Sequence, residues 1–124
     1  MGAEAVRAVI CDVDGVLTDG GIILCDDGTE AKRFHVWDGT GIKYLLRSGI
    51  EVAFLTGRES AVVVRRAGFA VAVGNAREEV RAEADHVTSA PGGQGAIREL
   101  AELILTAQGK WGAVVARYGL EVAR

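Results

Sequence analysis

The sequence predicts an α/β fold built on a parallel sheet. Short apolar runs alternate with helix-spaced segments, the first run ends in two aspartates, and the second runs into a Thr-Gly-Arg turn. Strand, helix, strand, helix in that order implies parallel pairing, because each crossover returns the chain to the same end of the sheet. Chemistry in such a sheet collects outside the carboxyl ends of the strands, where Asp12, Asp14 and Thr56 all fall.

The first element, Ala8 to Cys11, reads as a short buried strand punctuated by Gly15 and by Gly20-Gly21. A hairpin follows: Ile22 to Cys25 and Ala31 to Val36 flank Asp26-Asp27-Gly28-Thr29, whose Asp-Gly pair tolerates positive φ. Asp38 is placed to cap a helix over Gly39 to Arg47 that stops at Gly49. Ile50 to Leu55 is a second buried strand, Thr56-Gly57-Arg58 its exit, and Glu59 to Ala67 a second helix. Phe69 to Val73 reads as a third strand, Arg77 to Ala84 as a helix and His86 to Thr88 as a short strand. The glycine-rich stretch Ala90 to Gly95 leads into an amphipathic helix over Ala96 to Gln108, whose Leu100, Leu103 and Ile104 form a core stripe. The tail from Lys110 to Arg124 is a marginal helix, with Trp111 as its anchor and a partner chain as a candidate surface for it.

A chain of 124 residues, 49% of them hydrophobic, makes one domain, and no repeat or linker offers a boundary within it. Fourteen basic against seventeen acidic residues give a net charge of −3, which lacks the basic footprint of a nucleic-acid binder. No apolar run approaches bilayer length, so the expectation is a cytoplasmic protein without a membrane partner. Cys11 and Cys25 have neither metal-ligand spacing nor enough partners for a disulfide framework, and read as buried, reduced thiols. His35 and His86 are isolated and read as surface or strand histidines. Trp37 either walls a pocket or packs beneath the hairpin.

An aspartate at a strand end is able to attack phosphorus, provided its repulsion from a phosphate dianion is cancelled. Mg²⁺ meets that need through one or two carboxylates, phosphate oxygen and water. Asp12 and Asp14 are the candidate carboxylates. One serves as nucleophile, and the other gives a proton to the leaving alcohol and later takes one from water. Thr56 and the backbone N–H groups after it are candidates for holding phosphate oxygens.

Asp12-Val13-Asp14-Gly15-Val16-Leu17-Thr18-Asp19-Gly20 together with Thr56-Gly57-Arg58 resembles the haloacid dehalogenase (HAD) superfamily, with its Asp-x-Asp first motif and Ser/Thr second motif. Phe34 to Lys43, the Gly-Gly-Gln-Gly-Ala-Ile-Arg-Glu run at 92 to 99 and Ala107-Gln108-Gly109-Lys110 narrow that to a resemblance to the 3-deoxy-D-manno-octulosonate 8-phosphate phosphatases over nearly the whole chain. The resemblance implies a Rossmann-like HAD core without a cap domain, a single domain over residues 1–124, a hairpin flap at about 21–36, and a C-terminal loop and tail at 90–124. It implies Asp12 as nucleophile and Mg²⁺ ligand, Asp14 as general acid/base with its backbone carbonyl on the metal, Thr56 and Gly57 on phosphate, and Arg58 near the substrate. It further implies a sugar-acid phosphate substrate in lipopolysaccharide biosynthesis, a homotetramer assembled through the hairpin, and closure of the Gly92 to Gly95 segment over a neighbouring subunit's site. Gln94 stands where relatives often carry a basic residue.

The sequence departs from the superfamily after Thr56. A third-motif Lys and a fourth-motif acidic cluster are not found, and residues 62–68 ("VVVRRAG") run straight into Phe69 to Asn75. The seam near Ala67 and Gly68 marks a loss of one or two βα units, each βαβ being about 30 residues or more. Glu78, Glu79, Glu83 and Asp85, Asp26 and Asp27, and Lys43 and Arg58 are candidate substitutes; the acidic ones also read as solvated surface. The alternative to a phosphatase is a shortened, non-catalytic member that keeps the assembly surface. For the strand over 69–73 the favoured position is the vacant place beside the Asp12 strand, which would bring Asn75 near Asp12.

Overall fold

The computed structural model describes residues 2–55 and 68–119. The helix expected over 59–67 and the turn Thr56-Gly57-Arg58 lie outside the described residues. The strand β1 (Ala8–Asp12) pairs in parallel with β4 (Glu51–Leu55), in a register that sets Ala8 against Glu51 and Asp12 against Leu55. Between them come the hairpin strands β2 (Ile23–Leu24) and β3 (Glu30–Ala31) and the helix α1 (Val36–Arg47). Downstream, β5 (Val71–Ala72) pairs in parallel with β6 (His86–Val87) around the short helix α2 (Glu78–Glu83), and α3 (Ala96–Ala107) and α4 (Trp111–Ala116) follow. The α/β class and the parallel pairing are as the sequence predicts.

One layer of helices covers one face of β1. Val9 and Cys11 are buried beside Leu45 of α1 and Leu100, Ala101, Ile104 and Leu105 of α3, whereas Ile10 on the opposite face is 60% exposed. The expectation of a fully buried first strand is therefore corrected: alternation in burial marks a strand covered on one side only. Helices α1 and α3 approach most closely at Gly41, where a Cβ would stand 2.9 Å from the Arg98 Cα. The side chain of Gln108 fastens the end of α3 to the N-terminus, donating from Nε2 to the carbonyls of Ala3 at 3.1 Å and Val6 at 2.6 Å.

Several boundaries differ from expectation for identifiable reasons. The hairpin ladder is shorter than the 22–25 and 31–36 strands predicted, because Val36 already belongs to α1. His35, not Asp38, is the N-cap: its Nδ1 accepts from the Trp37 N–H at 3.0 Å, and the helix starts a turn early. Strand β5 is two residues long rather than the five over 69–73, and it pairs with β6 alone among the described residues. It does not take the place beside β1. Among the described residues β1 thus has one ladder partner, β4, instead of sitting in the middle of a sheet.

The tail helix α4 docks on its own chain. Trp111 lies edge-on to Tyr44 with ring centroids 5.9 Å apart, and the Arg98 guanidinium sits over both rings, 5.1 Å from the Tyr44 centroid and 5.7 Å from that of Trp111. Residues 120–124 of the predicted tail lie outside the described residues. Cys25 is exposed in the hairpin, correcting its expected burial, and both cysteines are free thiols. Among the described residues, no helix is long and apolar enough to cross a membrane.

Candidate active site

Asp12 ends β1 and Leu55 ends β4 at the same level of the parallel ladder. The chain turns immediately. Val13 to Leu17 form a wide turn closed by the Thr18 N–H donating to the Val13 carbonyl at 3.0 Å, with Gly15 at φ 84°. Asp12 is half-buried at the strand end while Asp14 stands exposed in the turn, so the two carboxylates do not share a strand face. Thr18, buried to 3% exposure, organises the turn: its Oγ1 accepts from the Gly15 N–H at 3.1 Å and from the Gly20 N–H at 3.2 Å.

The hairpin brings cations to this turn. Lys32 Nζ donates to Asp14 Oδ1 at 2.5 Å, and Arg33 Nη2 donates to Asp19 Oδ2 at 3.0 Å. These pairs are exposed, so they contribute little stability. Their consequence is placement: an ammonium stands beside the candidate acid/base. The hydrogen bond to Asp14 holds the Lys32 ammonium above its usual range, so it stays charged at neutral pH. The Gly21 N–H, and after it Arg33, hold the Asp19 carboxyl below its usual range. The sequence analysis did not single out Lys32. Its signal is weak, a lysine just after a two-residue strand with no motif around it, and only the fold of the hairpin over the turn brings it to Asp14.

The glycine-rich loop closes the turn from the other side. The Gly93 N–H donates to the Val16 carbonyl at 2.9 Å, and the Gly92 N–H donates to Asn75 Oδ1 at 2.9 Å. A Cβ at Gly92 would run into the Gly15 carbonyl, and one at Gly93 into the backbone of Thr18 and Asp19. Those two positions require glycine because two backbones touch there. The strand placement expected to bring Asn75 beside Asp12 is not adopted; both residues line one cavity, and the Asn75 side-chain oxygen accepts from the Gly92 N–H. Gln94 is exposed.

Asp38 is buried at 1% exposure and links the helices instead of capping its own. Its Oδ1 accepts from the Arg98 N–H at 3.0 Å, in the first turn of α3, where the N-cap Gly95 has no side chain to offer. Beside it, burial pushes the Cys11 thiol up to about 11, with the charge of Asp38 adding to the shift, so Cys11 is an inert core residue. Asp38→Ala leaves the Arg98 N–H buried without this partner and lowers stability by about 1–3 kcal/mol. The measurement is the urea midpoint, and an unchanged midpoint contradicts the linking role.

The other substitutes stay apart from the turn. Glu78 and Glu79 lie on the exposed face of α2 in pairs with Arg81 and Arg77, and Asp26 and Asp27 are exposed in the hairpin turn. Lys43 is exposed on α1, and Asp85 Oδ2 accepts from the Ala70 N–H at 2.7 Å. His86 lies 4.0 Å from Glu99, whose carboxylate accepts from the N–H groups of Ser89 and Ala90, and so belongs to the loop's support. Trp37 is 57% exposed, with its ring against His35 and next to Gly95. Among the described residues, no group of three or more His, Cys, Asp or Glu side chains is arranged to hold a metal ion.

Comparison with known proteins decides the family. The 3-deoxy-D-manno-octulosonate 8-phosphate phosphatase KdsC of Salmonella typhi is 34% identical over an aligned span of 157 residues, covering 87% of this chain and 84% of the relative. This chain belongs to the 3-deoxy-D-manno-octulosonate 8-phosphate phosphatase family. The KdsC protein of Haemophilus influenzae is likewise 34% identical, covering 86% of this chain and 87% of its own length. The Moraxella catarrhalis phosphatase of this family, solved with magnesium ion, phosphate ion and a KDO molecule, superposes with a TM-score of 0.87 at 34% identity, over 94% of this chain and 95% of that one. The cobalt-bound Haemophilus influenzae enzyme superposes with a TM-score of 0.83 at 32% identity, over 96% and 98%. No family model matches the chain. The fold is thus a shortened α/β HAD core, and the family is one of HAD-type phosphatases. Because 87% of 124 residues fill a span of 157, the KdsC relatives carry internal residues that this member lacks.

Proposed function

We propose that this chain is a Mg²⁺-dependent phosphomonoesterase, acting on a sugar-acid phosphate of the 3-deoxy-D-manno-octulosonate 8-phosphate type through a phosphorylated Asp12. The observation that carries the reading is the strand-end geometry: Asp12 in register with the residue before Thr56, and Asp14 two residues on with Lys32 against it. Asp12 and the backbone carbonyl of Asp14 offer the hard oxygen donors that Mg²⁺ uses together with substrate phosphate and water, so the residues present fit a minimal site. When bound, the ion neutralises phosphate charge and orients the group for attack.

The chain's own residues perform the rest. An Asp12 carboxylate oxygen forms a bond to phosphorus as the bond to the sugar oxygen breaks, and Asp14 delivers its proton to that oxygen. Asp14 then takes a proton from water, whose oxygen attacks phosphorus and releases Asp12 and inorganic phosphate. The reading assigns phosphate oxygens to Thr56 and Gly57 and the substrate's neighbourhood to Arg58, all outside the described residues, while Lys32 supplies positive charge from the hairpin. Removing one such preorganised charge costs about 10²–10³-fold in rate. Lys32→Met therefore lowers kcat/KM for p-nitrophenyl phosphate by that factor, whereas Lys32→Arg retains part of the rate; an unchanged rate in both removes Lys32 from the site.

The proposal places the reaction in the cytoplasm, in the supply of sugar acid for lipopolysaccharide, with the chain as a homotetramer. Ile22, Leu24, Phe34 and Val36 are 71%, 77%, 56% and 74% exposed on and beside the hairpin, apolar surface that association between copies would cover. Light scattering at micromolar concentration is expected to give a multiple of 13.0 kDa, and a monomer counts against the assembly. The activity itself is tested by phosphate release from 3-deoxy-D-manno-octulosonate 8-phosphate with Mg²⁺ and with chelator. Release that requires Mg²⁺ supports the reading. No release from folded protein favours the alternative, a non-catalytic shortened member.

A further inference from the structure

Strand β1 and strand β5 face one another across a cavity of about 1000 Å³. All five residues of β1 and both of β5 line it, while no described residue of β4 does, so it lies along the edge of β1 that β4 leaves open. Each wall is one member of a parallel pair, β1 with β4 and β5 with β6, and among the described residues neither strand has a second ladder partner. Two rows of backbone N–H and C=O groups therefore border one slot. The slot is apolar along its length, with Ile10, Val71, Val73, Leu100 and Ile104 in its wall; its charged residues Asp12, Asp14, Asp19 and Arg77 lie at or beyond the carboxyl ends of β1 and β5.

We infer that this slot is a receptor for one parallel β-strand of about five apolar residues, supplied by a separate polypeptide. Size supports it. Five residues at about 3.3 Å rise, with a strand spacing of about 4.8 Å and a layer depth of about 10 Å, occupy roughly 800 Å³. Chemistry supports it as well: a compact apolar ligand satisfies neither row of backbone groups, whereas an extended chain pairs with both, the recognition mode of β-strand addition. A strand buried on both faces in a parallel sheet is continuously apolar, which matches the wall. The KdsC relatives contain internal chain that this one lacks, on the scale of one or two βα units of about 30 residues. A second copy of this chain is the poorer donor, because its longer strands β1 and β4 are already paired with each other. This inference stands independently of the phosphatase reading, since it concerns binding alone.

The test uses the full chain with the synthetic peptide Lys-Val-Ala-Val-Ile-Val-Gly-Lys, and a control in which the second and fourth valine-run positions are proline, which cannot donate to a ladder. Hydrogen exchange and thermal unfolding are followed against peptide concentration. The expected result is a Tm that climbs by several degrees with the first peptide and not with the control. Those backbone amides of residues 8–12 and 71–73 that do not bond to β4 or β6 are expected to slow by tenfold or more in the same titration. Equal effects of both peptides indicate a general apolar pocket and overturn the inference. So does full protection of the residue 8–12 amides in the chain alone, or the absence of any effect at millimolar peptide.

Discussion

Asp12→Asn abolishes phosphate release, by at least about a thousandfold, while leaving the protein folded. The substitution keeps the size of the side chain and its place at the end of β1, and removes the nucleophilic oxygen. Asp12 is half-buried at the ladder's end, and the core beneath it is made by Val9 and Cys11, so the change is felt in chemistry more than in packing. Circular dichroism and the urea midpoint are expected to match the parent chain. Hydrolysis that persists in protein free of contaminating phosphatase would refute Asp12 as nucleophile, whatever the role of the ion.

Gly92→Ala is the second large effect, and it acts at a distance in sequence. The new Cβ enters the Gly15 carbonyl, so either the loop lifts or the turn after Asp12 shifts. Overpacking of this kind costs about 1–3 kcal/mol. A displacement of about 1 Å at reacting groups costs on the order of a hundredfold in rate. The expected outcome is thus a lower unfolding midpoint together with a drop in kcat larger than any change in KM. Gly39→Ala is the control: nothing lies within 4 Å of its added methyl in α1, and helix propensity favours it by about 0.5–1 kcal/mol. If Gly92→Ala retains the parent's kcat, the loop does not position the turn.

What was legible in the sequence follows the range of the interactions involved. The amphipathic stripe of α3 and the parallel pairing of the Asp12 strand with the one ending at Leu55 come from local periodicity and element order, and both match the structure. Asp12 and Asp14 were found because a strand end followed by a glycine turn is itself a local signal. Asp38 was misread as a cap because its true partner, the Arg98 N–H, is 60 residues away. Lys32 went unseen for the same reason: its partner is reached only when the hairpin folds back. The expected pairing of residues 69–73 with β1 rested on the cost of an open strand edge. The structure instead satisfies β5 through β6, the nearer strand in sequence, and leaves the β1 edge on the cavity.

The tie between the two ends of the chain bears on the order in which the protein comes into being. Gln108 holds the carbonyls of Ala3 and Val6, contacts separated by 105 and 102 residues, and the turn after Asp12 is clasped by glycines near residue 92. During synthesis, β1 emerges some eighty residues or more before the helix that covers it and the loop that shapes the turn after Asp12. Closing loops of that length precedes any reward from the contacts they make, so folding waits on the far end of the chain. On the ribosome, then, the apolar residues of β1 stay uncovered until that later stretch has been made. That interval is when a chaperone, or a neighbouring nascent copy, has its best access to the molecule.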